Sequence, residues 1–489
     1  MEATALLGSI SDAASPASAR LLAFPAVQPD PAVAERVALL RRTFAAGVTR
    51  PLDWRRAQLL ELDRMLVEHE RAFLDALRDD LGKGEAEALT TELAFVRAEA
   101  KHMAASLGRW AAPERVGTPW FLQPARSRIV REPLGVVLVI GAWNMPVPVL
   151  LGPALAALAA GNAVALKPSE LAPATSALIA RLVPAYLDER AVAVVEGGVL
   201  ETTALLEQRF DHIFYTGNGR VGRIVAAAAA QHLTPATLEL GGKSPAYVHR
   251  SADIAVTARR LAWAKWINAG QVCVSPDHVL VDEAVKDQLV EAVTVELGRF
   301  YGADPSRSPD YGRIVNARHH DRLTGLLRDH GGRVVHGGGH DREALHIEPT
   351  IVVDPDASSP LMQEEIFGPI LPVCGVADAD AGIDRVLAGP KPLALHVFAR
   401  EKTVAAAFEA STSSGALLVN DAVINHRAPG LPFGGVGESG YGSYHGRFGF
   451  ETFSHRKAVF RRPFFLDAAL RYPPYTPAKL RAARRLLGI

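Results

Sequence analysis

Between residues 135 and 240 the chain alternates short apolar runs with helical patterns, and this alternation is the feature that most constrains the fold. The first run, residues 135–141, reads Gly-Val-Val-Leu-Val-Ile-Gly, which is typical of a strand covered on both faces. Strands and helices that alternate through short connections favour a parallel, doubly wound sheet. The predicted strands are residues 135–141, 163–167, 191–196, 212–216 and 237–240, and the predicted helices between them are residues 153–160, 175–187, 202–208 and 220–232.

A second series of alternating strands and helices follows residue 241. Its predicted strands include residues 278–281, 371–376, 394–399 and 416–420. Because single hydrophobic cores stop growing near ~250–300 residues, a chain of 489 residues should form more than one domain. The sequence therefore predicts an α/β protein with two α/β domains.

The charge balance excludes some classes of partner. Lys and Arg together number 53, and so do Asp and Glu, which favours neither a nucleic acid nor a membrane surface.

The longest uncharged stretch, residues 133–166, would be long enough to span a bilayer, but several prolines interrupt it, so we interpret it as a buried strand, loop and helix. The first 30 or so residues are rich in Ala, Ser and Pro and predict a loose N-terminal arm without a signal peptide.

The two cysteines cannot form a disulfide framework. Cys374 lies in an apolar run and is predicted to be a buried thiol. A chain that keeps a thiol free for chemistry suits a reducing compartment, so we predict a cytoplasmic protein. The 16 histidines show no ligand spacing typical of a metal site, and we predict none.

Three distant segments supply residues suited to covalent chemistry at a carbonyl group. Cys273 follows Gly-Gln-Val, Glu239 precedes Leu-Gly-Gly-Lys, and Asn144 stands in Trp-Asn-Met-Pro. A thiol, a carboxylate and a side-chain amide can act as nucleophile, base and oxyanion donor. Each also has a structural interpretation: Cys273 as a core thiol, and Asn144 as a residue that satisfies backbone groups in a turn.

A glycine motif indicates a nucleotide phosphate site. Gly217, Gly219 and Gly222 match G-x-G-x-x-G, with Asn218 inside the motif, after a predicted strand and at the start of a predicted helix. A helix N-terminus offers free N–H groups and a positive dipole to a pyrophosphate.

The role of Glu239 has a competing interpretation, because it lies 17 residues after Gly222, near where an acid of this fold binds ribose. Lys167 and Glu170 offer another ribose site, since they follow a predicted strand at the edge where ligands bind. If these two residues bind the ribose, Glu239 is left for chemistry.

The motifs together resemble those of the aldehyde dehydrogenase superfamily over roughly residues 44–457. The matching segments are Trp143-Asn144-Met145-Pro146, Leu166-Lys167-Pro168-Ser169-Glu170, Tyr215-Thr216-Gly217, Leu238-Glu239-Leu240-Gly241-Gly242-Lys243, Gly270-Gln271-Val272-Cys273, Glu364-Glu365-Ile366-Phe367-Gly368-Pro369 and Pro432-Phe433-Gly434-Gly435. Further segments, such as Gly442-Ser443-Tyr444-His445-Gly446, resemble the class 3 branch, which includes fatty and aromatic aldehyde dehydrogenases.

The resemblance implies a role for each residue. Cys273 would attack the aldehyde, Asn144 would stabilise the oxyanion, and Glu239 would activate the water that hydrolyses the thioester. Glu365 and Phe367 would contact the nicotinamide end of the cofactor. Lys167, Glu170, Gly217, Asn218 and Gly222 would contact its other parts.

The family fold also implies a domain division and an assembly. The implied segments are a loose arm (1–33), an NAD(P)-binding domain of Rossmann type (34–112 and 133–238), a catalytic domain (239–420), a β-hairpin oligomerisation arm (113–132 and 452–464) and a tail (465–489). We expect NAD as cofactor with NADP also accepted, a hydrophobic aliphatic or aromatic aldehyde as substrate, and a homodimer. From its own residues, the basic tail is predicted to form a surface helix, with a contact with a membrane surface or a role as a lid as the alternatives.

Two rival functions and two departures from the family pattern stand beside this interpretation. The rivals are a CoA-acylating aldehyde dehydrogenase and a non-enzymatic protein on the same scaffold. Asn218-Gly219 replaces the usual Ser-Thr, which predicts a more flexible loop, and Met145 replaces an aromatic residue beside Asn144. The glycine-rich residues 434–449 predict a permissive loop.

Overall fold

The computed structural model describes residues 31–465, 467 and 469–488, and two large sheets organise them. The strands are β1 (Glu114–Val116), β2 (Arg126–Pro133), β3 (Val136–Ile140), β4 (Ala163–Lys167), β5 (Val192–Val194), β6 (His212–Gly217), β7 (Ala236–Leu240), β8 (Pro245–Val248), β9 (His278–Asp282), β10 (Arg333–His336), β11 (His340–Asp341), β12 (His346–Ile347), β13 (Thr350–Val353), β14 (Ile370–Val376), β15 (Ala394–Phe398), β16 (Ala416–Val419), β17 (Gly440–Tyr441) and β18 (Ser454–Arg461).

Helices pack against the two large sheets. They are α1 (Pro31–Ala45), α2 (Leu52–Glu68), α3 (Glu70–Leu81), α4 (Glu85–Ala88), α5 (Ala94–Ala111), α6 (Pro148–Ala160), α7 (Pro173–Tyr186), α8 (Val199–Leu206), α9 (Gly219–Gln231), α10 (Ile254–Trp266), α11 (Lys286–Tyr301), α12 (Ala317–Leu326), α13 (Pro360–Gln363), α14 (Ala379–Leu387), α15 (Lys402–Ser411), α16 (Gly446–Thr452) and α17 (Pro477–Leu487). A π-helical turn, Leu89–Leu93, joins α4 to α5.

The first large sheet has the strand order β17-β7-β6-β3-β4-β5, and its strands are parallel except for β17. Strand order reverses at β3, which pairs with β4 on one side and β6 on the other. In doubly wound sheets ligands bind beyond the carboxyl ends of the strands at such a point. The predicted Rossmann-type sheet is therefore confirmed, and its geometry places a binding site beyond β3 and β6.

The second large sheet has the order β10-β13-β14-β9-β8-β15-β16, with β10 as its antiparallel member. The chain enters it after Leu240, because Glu239 and Leu240 complete β7 of the first sheet. Glu239, where the second domain is predicted to begin, therefore still belongs to a strand of the first sheet.

A third sheet is formed by β1, β2 and β18, in that order. Its strands come from residues 114–133 and 454–461, which lie within or next to the two segments predicted to form an arm. Strand β18 is largely exposed, with Phe460 at 51%. The sheet therefore presents an exposed antiparallel edge.

Several predicted elements differ from those observed. Helix α6 begins at Pro148, not at residue 153, because Pro148 occupies the first turn, where a missing N–H is tolerated, and Pro153 is accommodated inside the helix. Residues 434–449 are not simply a loop: they include β17, which pairs with β7, and the start of α16. Residues 1–30 of the predicted N-terminal arm lie outside the described residues. The last three residues of that arm, 31–33, belong to α1.

Among the described residues, no helix is both long and apolar enough to cross a membrane. No group of three or more His, Cys, Asp or Glu in the same part of the chain is placed to hold a metal ion.

Candidate active site

A cavity of about 1160 Å³ lies beyond the carboxyl ends of β3, β4, β6 and β7. Its volume exceeds the range of ~300–1,000 Å³ that is usual for small-molecule sites. The predicted site residues that line it are Asn144, Lys167, Glu170, Gly217, Asn218, Glu239, Cys273, Glu365 and Phe367. The fold therefore brings together residues that the sequence spreads over more than 220 positions, at one cavity.

Gly222 is the predicted site residue that does not line this cavity. It is buried in α9, and a Cβ at this position would lie 2.8 Å from Leu240 Cδ2. The structure thus gives Gly222 a packing role, the close approach of α9 to β7, in place of the predicted contact with a pyrophosphate.

The loop before Cys273 has an unusual backbone. Asn268, Ala269 and Gly270 have φ values of 50°, 50° and 77°, three successive residues in the left-handed region. Such conformations persist only where surrounding contacts impose them. Here Gln271 Nε2 donates to the carbonyl of Asn268 at 2.9 Å and to that of Arg313 at 3.0 Å. The strained loop delivers Cys273 to the cavity wall.

Cys273 is partly open to the cavity, yet the atoms around it raise the pKa of its thiol to about 12. Desolvation is the main cause, followed by the charges of Glu365 and Glu239, and the backbone N–H groups of Cys273 and Val274 oppose the shift. The surroundings of Cys273 therefore disfavour the thiolate, and a base must accept the thiol proton.

Glu239 lies in β7 with only 3% exposure. Neither of its carboxylate oxygens has a hydrogen-bond partner within the described chain, and burial raises its pKa well above the ordinary value. Buried polar groups are nearly always paired, so an orphaned carboxylate calls for an explanation. Because Glu239 lines the same cavity as Cys273, its free oxygens are available to a proton or a water.

Asn144 is held by hydrogen bonds at its side-chain amide and at its backbone carbonyl. Its Nδ2 donates to the carbonyl of Gln271 at 3.0 Å, and its own carbonyl accepts from Asn268 Nδ2 at 2.8 Å. The amide has two N–H bonds, so one is left for the cavity that Asn144 lines. This is the group an oxyanion would need.

The first turn of α9 differs from the predicted flexible loop. Asn218 is the N-cap of α9, and its Oδ1 accepts from Val221 N–H at 3.0 Å. The side chain thus rigidifies the helix start. The N–H groups of Gly219 and Arg220 remain at the helix end, beside the cavity.

Lys167 and Glu170 lie together at the end of β4. Lys167 Nζ lies 3.5 Å from Glu170 Oε2 and donates to the carbonyl of Pro168 at 2.7 Å. The lysine is buried, which lowers its pKa, whereas the carboxylate of Glu170 is half exposed to the cavity. Both side chains can offer hydrogen bonds to hydroxyl groups.

Glu365 and Phe367 also line the cavity, and they lie in the segment between α13 and β14 of the second large sheet. A Cβ at Gly241 would lie 2.2 Å from the Glu365 oxygens, so the carboxylate occupies space that only glycine leaves free. Burial raises its pKa to about 7, and the N–H of Gly242 lowers it. Phe367, at φ 47°, packs edge-on against Trp143 with 5.5 Å between ring centroids.

Sequence reasoning gave no role to other residues of the cavity, namely Trp143, Thr216, Arg220, Arg223, Arg318, His319 and Arg322. Thr216 precedes Gly217, and its buried Oγ1 has no partner among the described residues. Arg220 lies inside the glycine motif, and a basic residue in a predicted phosphate loop could have indicated a contact with phosphate. The residues on α12 carry no motif, so the sequence offered no signal for them.

Comparison with known proteins adds three findings. A model of the aldehyde dehydrogenase family matches residues 11–459. Family 3 member H1 of Arabidopsis thaliana is 49% identical over 92% of this chain and 93% of its own length, and the dimeric NADP-preferring aldehyde dehydrogenase of Rattus norvegicus is 47% identical over 92% and 99%. The solved structure of Staphylococcus aureus AldH in a substrate-bound state is similar with a TM-score of 0.91 and 39% identity over 93% and 99% of the two chains.

Proposed function

Since this chain belongs to the aldehyde dehydrogenase family and is an NAD(P)-dependent enzyme of the class 3 branch, we propose that it oxidises hydrophobic aldehydes to carboxylic acids through Cys273. The observation that carries this proposal is the orphaned carboxylate of Glu239 beside the cavity that Cys273 lines. A buried base without a partner suits an enzyme that must activate water.

The first step forms a bond between Cys273 Sγ and the aldehyde carbon, and the thiol proton leaves to a base. Glu239 and Glu365 are the carboxylates whose charges act on the sulfur. The aldehyde oxygen gains negative charge, which the free Nδ2–H of Asn144 and a backbone N–H of Cys273 stabilise. One oxyanion donor of this kind is typically worth about 10²–10³ in rate.

A bound NAD(P)⁺ would supply the acceptor for the hydride of the aldehyde carbon, so that Cys273 would be left holding a thioester. Glu239 then removes a proton from a water that attacks the thioester carbon. The C–S bond breaks, the acid departs, and Cys273 regains its proton. A general base of this kind typically contributes about 10²–10⁴-fold.

The described residues fit a dinucleotide. The cavity is large enough, it follows the point where strand order reverses, and the N-terminus of α9 faces it with N–H groups left over after Asn218 caps the helix. Lys167 and Glu170 would hold the adenosine ribose, Gly217 and Asn218 the pyrophosphate, and Glu365 with Phe367 the nicotinamide ribose.

We propose NAD as the cofactor, with NADP accepted. The carboxylate of Glu170 disfavours a 2′-phosphate by like charge. Arg220 and Arg223 line the cavity from the first turns of α9 and offer positive charge to phosphate groups. The names of several relatives, including the Rattus norvegicus enzyme, state a preference for NADP, which supports acceptance of both cofactors.

We also propose a homodimer, which the word "dimeric" in relatives' names supports. The exposed edge of the sheet formed by β1, β2 and β18 is the surface suited to that contact. For helix α17, the basic residues Lys479, Arg481, Arg484 and Arg485 support a peripheral contact with an anionic membrane surface. A cytoplasmic location remains our proposal, on the ground of the free thiol at Cys273.

The test is oxidation of aliphatic aldehydes of increasing length and of aromatic aldehydes, with NAD or NADP, and with and without CoA. We expect the acid as product in either case, rates that increase with hydrophobicity, and loss of oxidation in Cys273→Ser, because a hydroxyl is a poorer nucleophile than a thiol. Acyl-CoA as product would favour the CoA-acylating alternative. Normal turnover by Cys273→Ser would refute the role of the thiol.

A further inference from the structure

A buried ion pair lies directly behind the loop that carries Asn144. Lys83 follows α3, and Glu92 lies in the π-helical turn between α4 and α5. The side chains of both residues have 0% exposure, and they contact each other through Lys83 Nζ and Glu92 Oε1. Burial of two opposite charges is weak evidence for stability, because desolvation can exceed their attraction. The pair therefore calls for another explanation.

Both members of the pair bind the Asn144 loop. Lys83 Nζ donates to the backbone carbonyl of Asn144 at 3.0 Å and lies 3.1 Å from Met145 Sδ. Glu92 Oε2 accepts from the backbone N–H of Val147 at 3.0 Å. The two charged side chains thus hold the segment 144–147 at both of its ends, Asn144 and Val147. A π-helical turn within a helix is frequent at functional sites, and here it supplies Glu92.

The same carbonyl links this pair to the Cys273 loop. Asn144 O accepts from Lys83 Nζ and from Asn268 Nδ2, while Asn268 N–H donates to Glu87 Oε1 at 2.9 Å. Asn144 is therefore held at its carbonyl by two donors and at its side chain by the hydrogen bond to Gln271. Its second Nδ2–H is left for the cavity that Asn144 lines.

We propose that Lys83 and Glu92 are positioning residues that hold Asn144 in the orientation required to stabilise the oxyanion. The inference rests on the proposed oxyanion role of Asn144. Neither residue touches the reacting atoms: each acts through the backbone of residues 144–147. Met145, which departs from the aromatic residue usual in the family, provides a sulfur acceptor for Lys83 in this arrangement.

The test is a double-mutant cycle between Lys83→Met and Asn144→Ala, measured as the rate of the pre-steady-state burst of NADH, which reports formation of the thioester. We expect Lys83→Met to slow the burst by about tenfold or more while the cofactor Kd stays unchanged. In the Asn144→Ala background the same change should slow it by less than about twofold, because the group that Lys83 positions is gone. A purely structural role for Lys83 would give the same loss in both backgrounds.

Controls keep the result interpretable. Lys286→Met removes a lysine at the start of α11, whose ion pair with Asp354 lies next to β13 of the second large sheet. This variant should leave the burst rate unchanged. Folding is checked by thermal unfolding and by the burst amplitude, which counts active sites. If Lys83→Met does not fold, Glu92→Gln, which keeps the shape of the side chain, is taken through the same cycle.

Equal losses in both backgrounds, or a normal burst rate in a folded Lys83 or Glu92 variant, would overturn the inference. A normal burst in Asn144→Ala alone would show that the oxyanion role itself fails, and the inference would fall with it. These outcomes are distinguishable, because only the last concerns a variant in which Lys83 and Glu92 are intact.

Discussion

At the scale of single residues, the structure shows a conflict between stability and function at Glu239. A carboxylate buried to 3% exposure with no hydrogen-bond partner among the described residues disfavours its own ionised form. The same isolation leaves both of its oxygens available for a proton from water. The fold therefore retains a destabilising group at the point where the proposed chemistry needs a base.

Glu239→Gln should separate the two effects. We expect the NADH burst to be retained, and steady-state turnover to fall by about 10²–10⁴-fold, because hydrolysis of the thioester loses its base. In the unmodified enzyme a base works only when ionised, so turnover should fall as pH falls through the raised pKa of Glu239, and the variant should lose this dependence. Unchanged turnover in the variant would contradict the assignment.

The stability of the same variant has a definite sign. The folded pKa of Glu239 is raised above its ordinary value of 4.5, so the contribution of this residue to stability is fully present below that ordinary value and is lost as pH rises through the folded value. Glutamine is neutral throughout. Urea unfolding should therefore show a larger free energy of unfolding for Glu239→Gln at neutral pH, and the difference should vanish as pH falls below the ordinary pKa.

At the scale of elements, the loop between α10 and Cys273 depends on its glycine. Gly270 has φ 77°, and a Cβ there would lie 2.2 Å from the carbonyl oxygen of Gly368. The contact is with backbone, so it cannot be relieved by a change of rotamer. The position of Cys273 is thus fixed by a conformation that other residues adopt only with strain.

Gly270→Ala should destabilise the fold by more than about 1–3 kcal/mol, because the clash adds to the cost of the left-handed backbone. Gly298→Ala is the matched control: Gly298 lies inside α11, a Cβ there meets nothing within 4 Å, and alanine should stabilise by about 0.5–1 kcal/mol. Urea unfolding measures both. A Gly270→Ala protein as stable as the parent would show that the loop relaxes readily.

Sequence reasoning succeeded where one pattern determines one element. The strand at residues 163–167 and its neighbours are continuous apolar runs, and the structure places them in the first sheet with the expected parallel order. It failed where a distant segment completes an element. Strand β17 exists because Gly440 pairs with Glu239, 201 residues away, and no local pattern in a glycine-rich stretch indicates such a partner.

The candidate site shows the same division. The motifs identified nine of the residues that line the cavity, because chemistry restricts the residue types that can serve there. The pKa of Cys273 depends on burial and on charges brought in by folding, so the sequence could not supply it. Lys83 and Glu92 were missed for a related reason, since the contacts of Lys83 with Asn144 and of Glu92 with Val147 join segments more than 50 residues apart.

At the scale of the whole molecule, the sheet of β1, β2 and β18 tests the proposed assembly. An antiparallel edge without a further partner strand is a surface that proteins usually cover or charge, and the exposed residues of β18 include Phe460 together with basic residues such as Arg456, Lys457 and Arg461. Strand β18 pairs with β2 on one side only, and Phe460 is 51% exposed on it. Since the described body of the protein does not cover this surface, a second copy of the chain is the partner that suits it.

Phe460→Asp should therefore shift the protein from a dimer, with twice the chain mass of 52.3 kDa, toward a monomer in sedimentation equilibrium at micromolar concentration. The physical reason is that a buried, unpaired charge at an interface core is costly. Leu233→Asn is the control: Leu233 is 92% exposed at the end of α9 with φ 52°, a conformation that Asn tolerates, so its removal should leave the dimer intact. If Phe460→Asp remains as dimeric as the control, the dimer contact lies elsewhere on the molecule. If both variants dissociate, the effect reflects general loss of apolar surface and not this sheet.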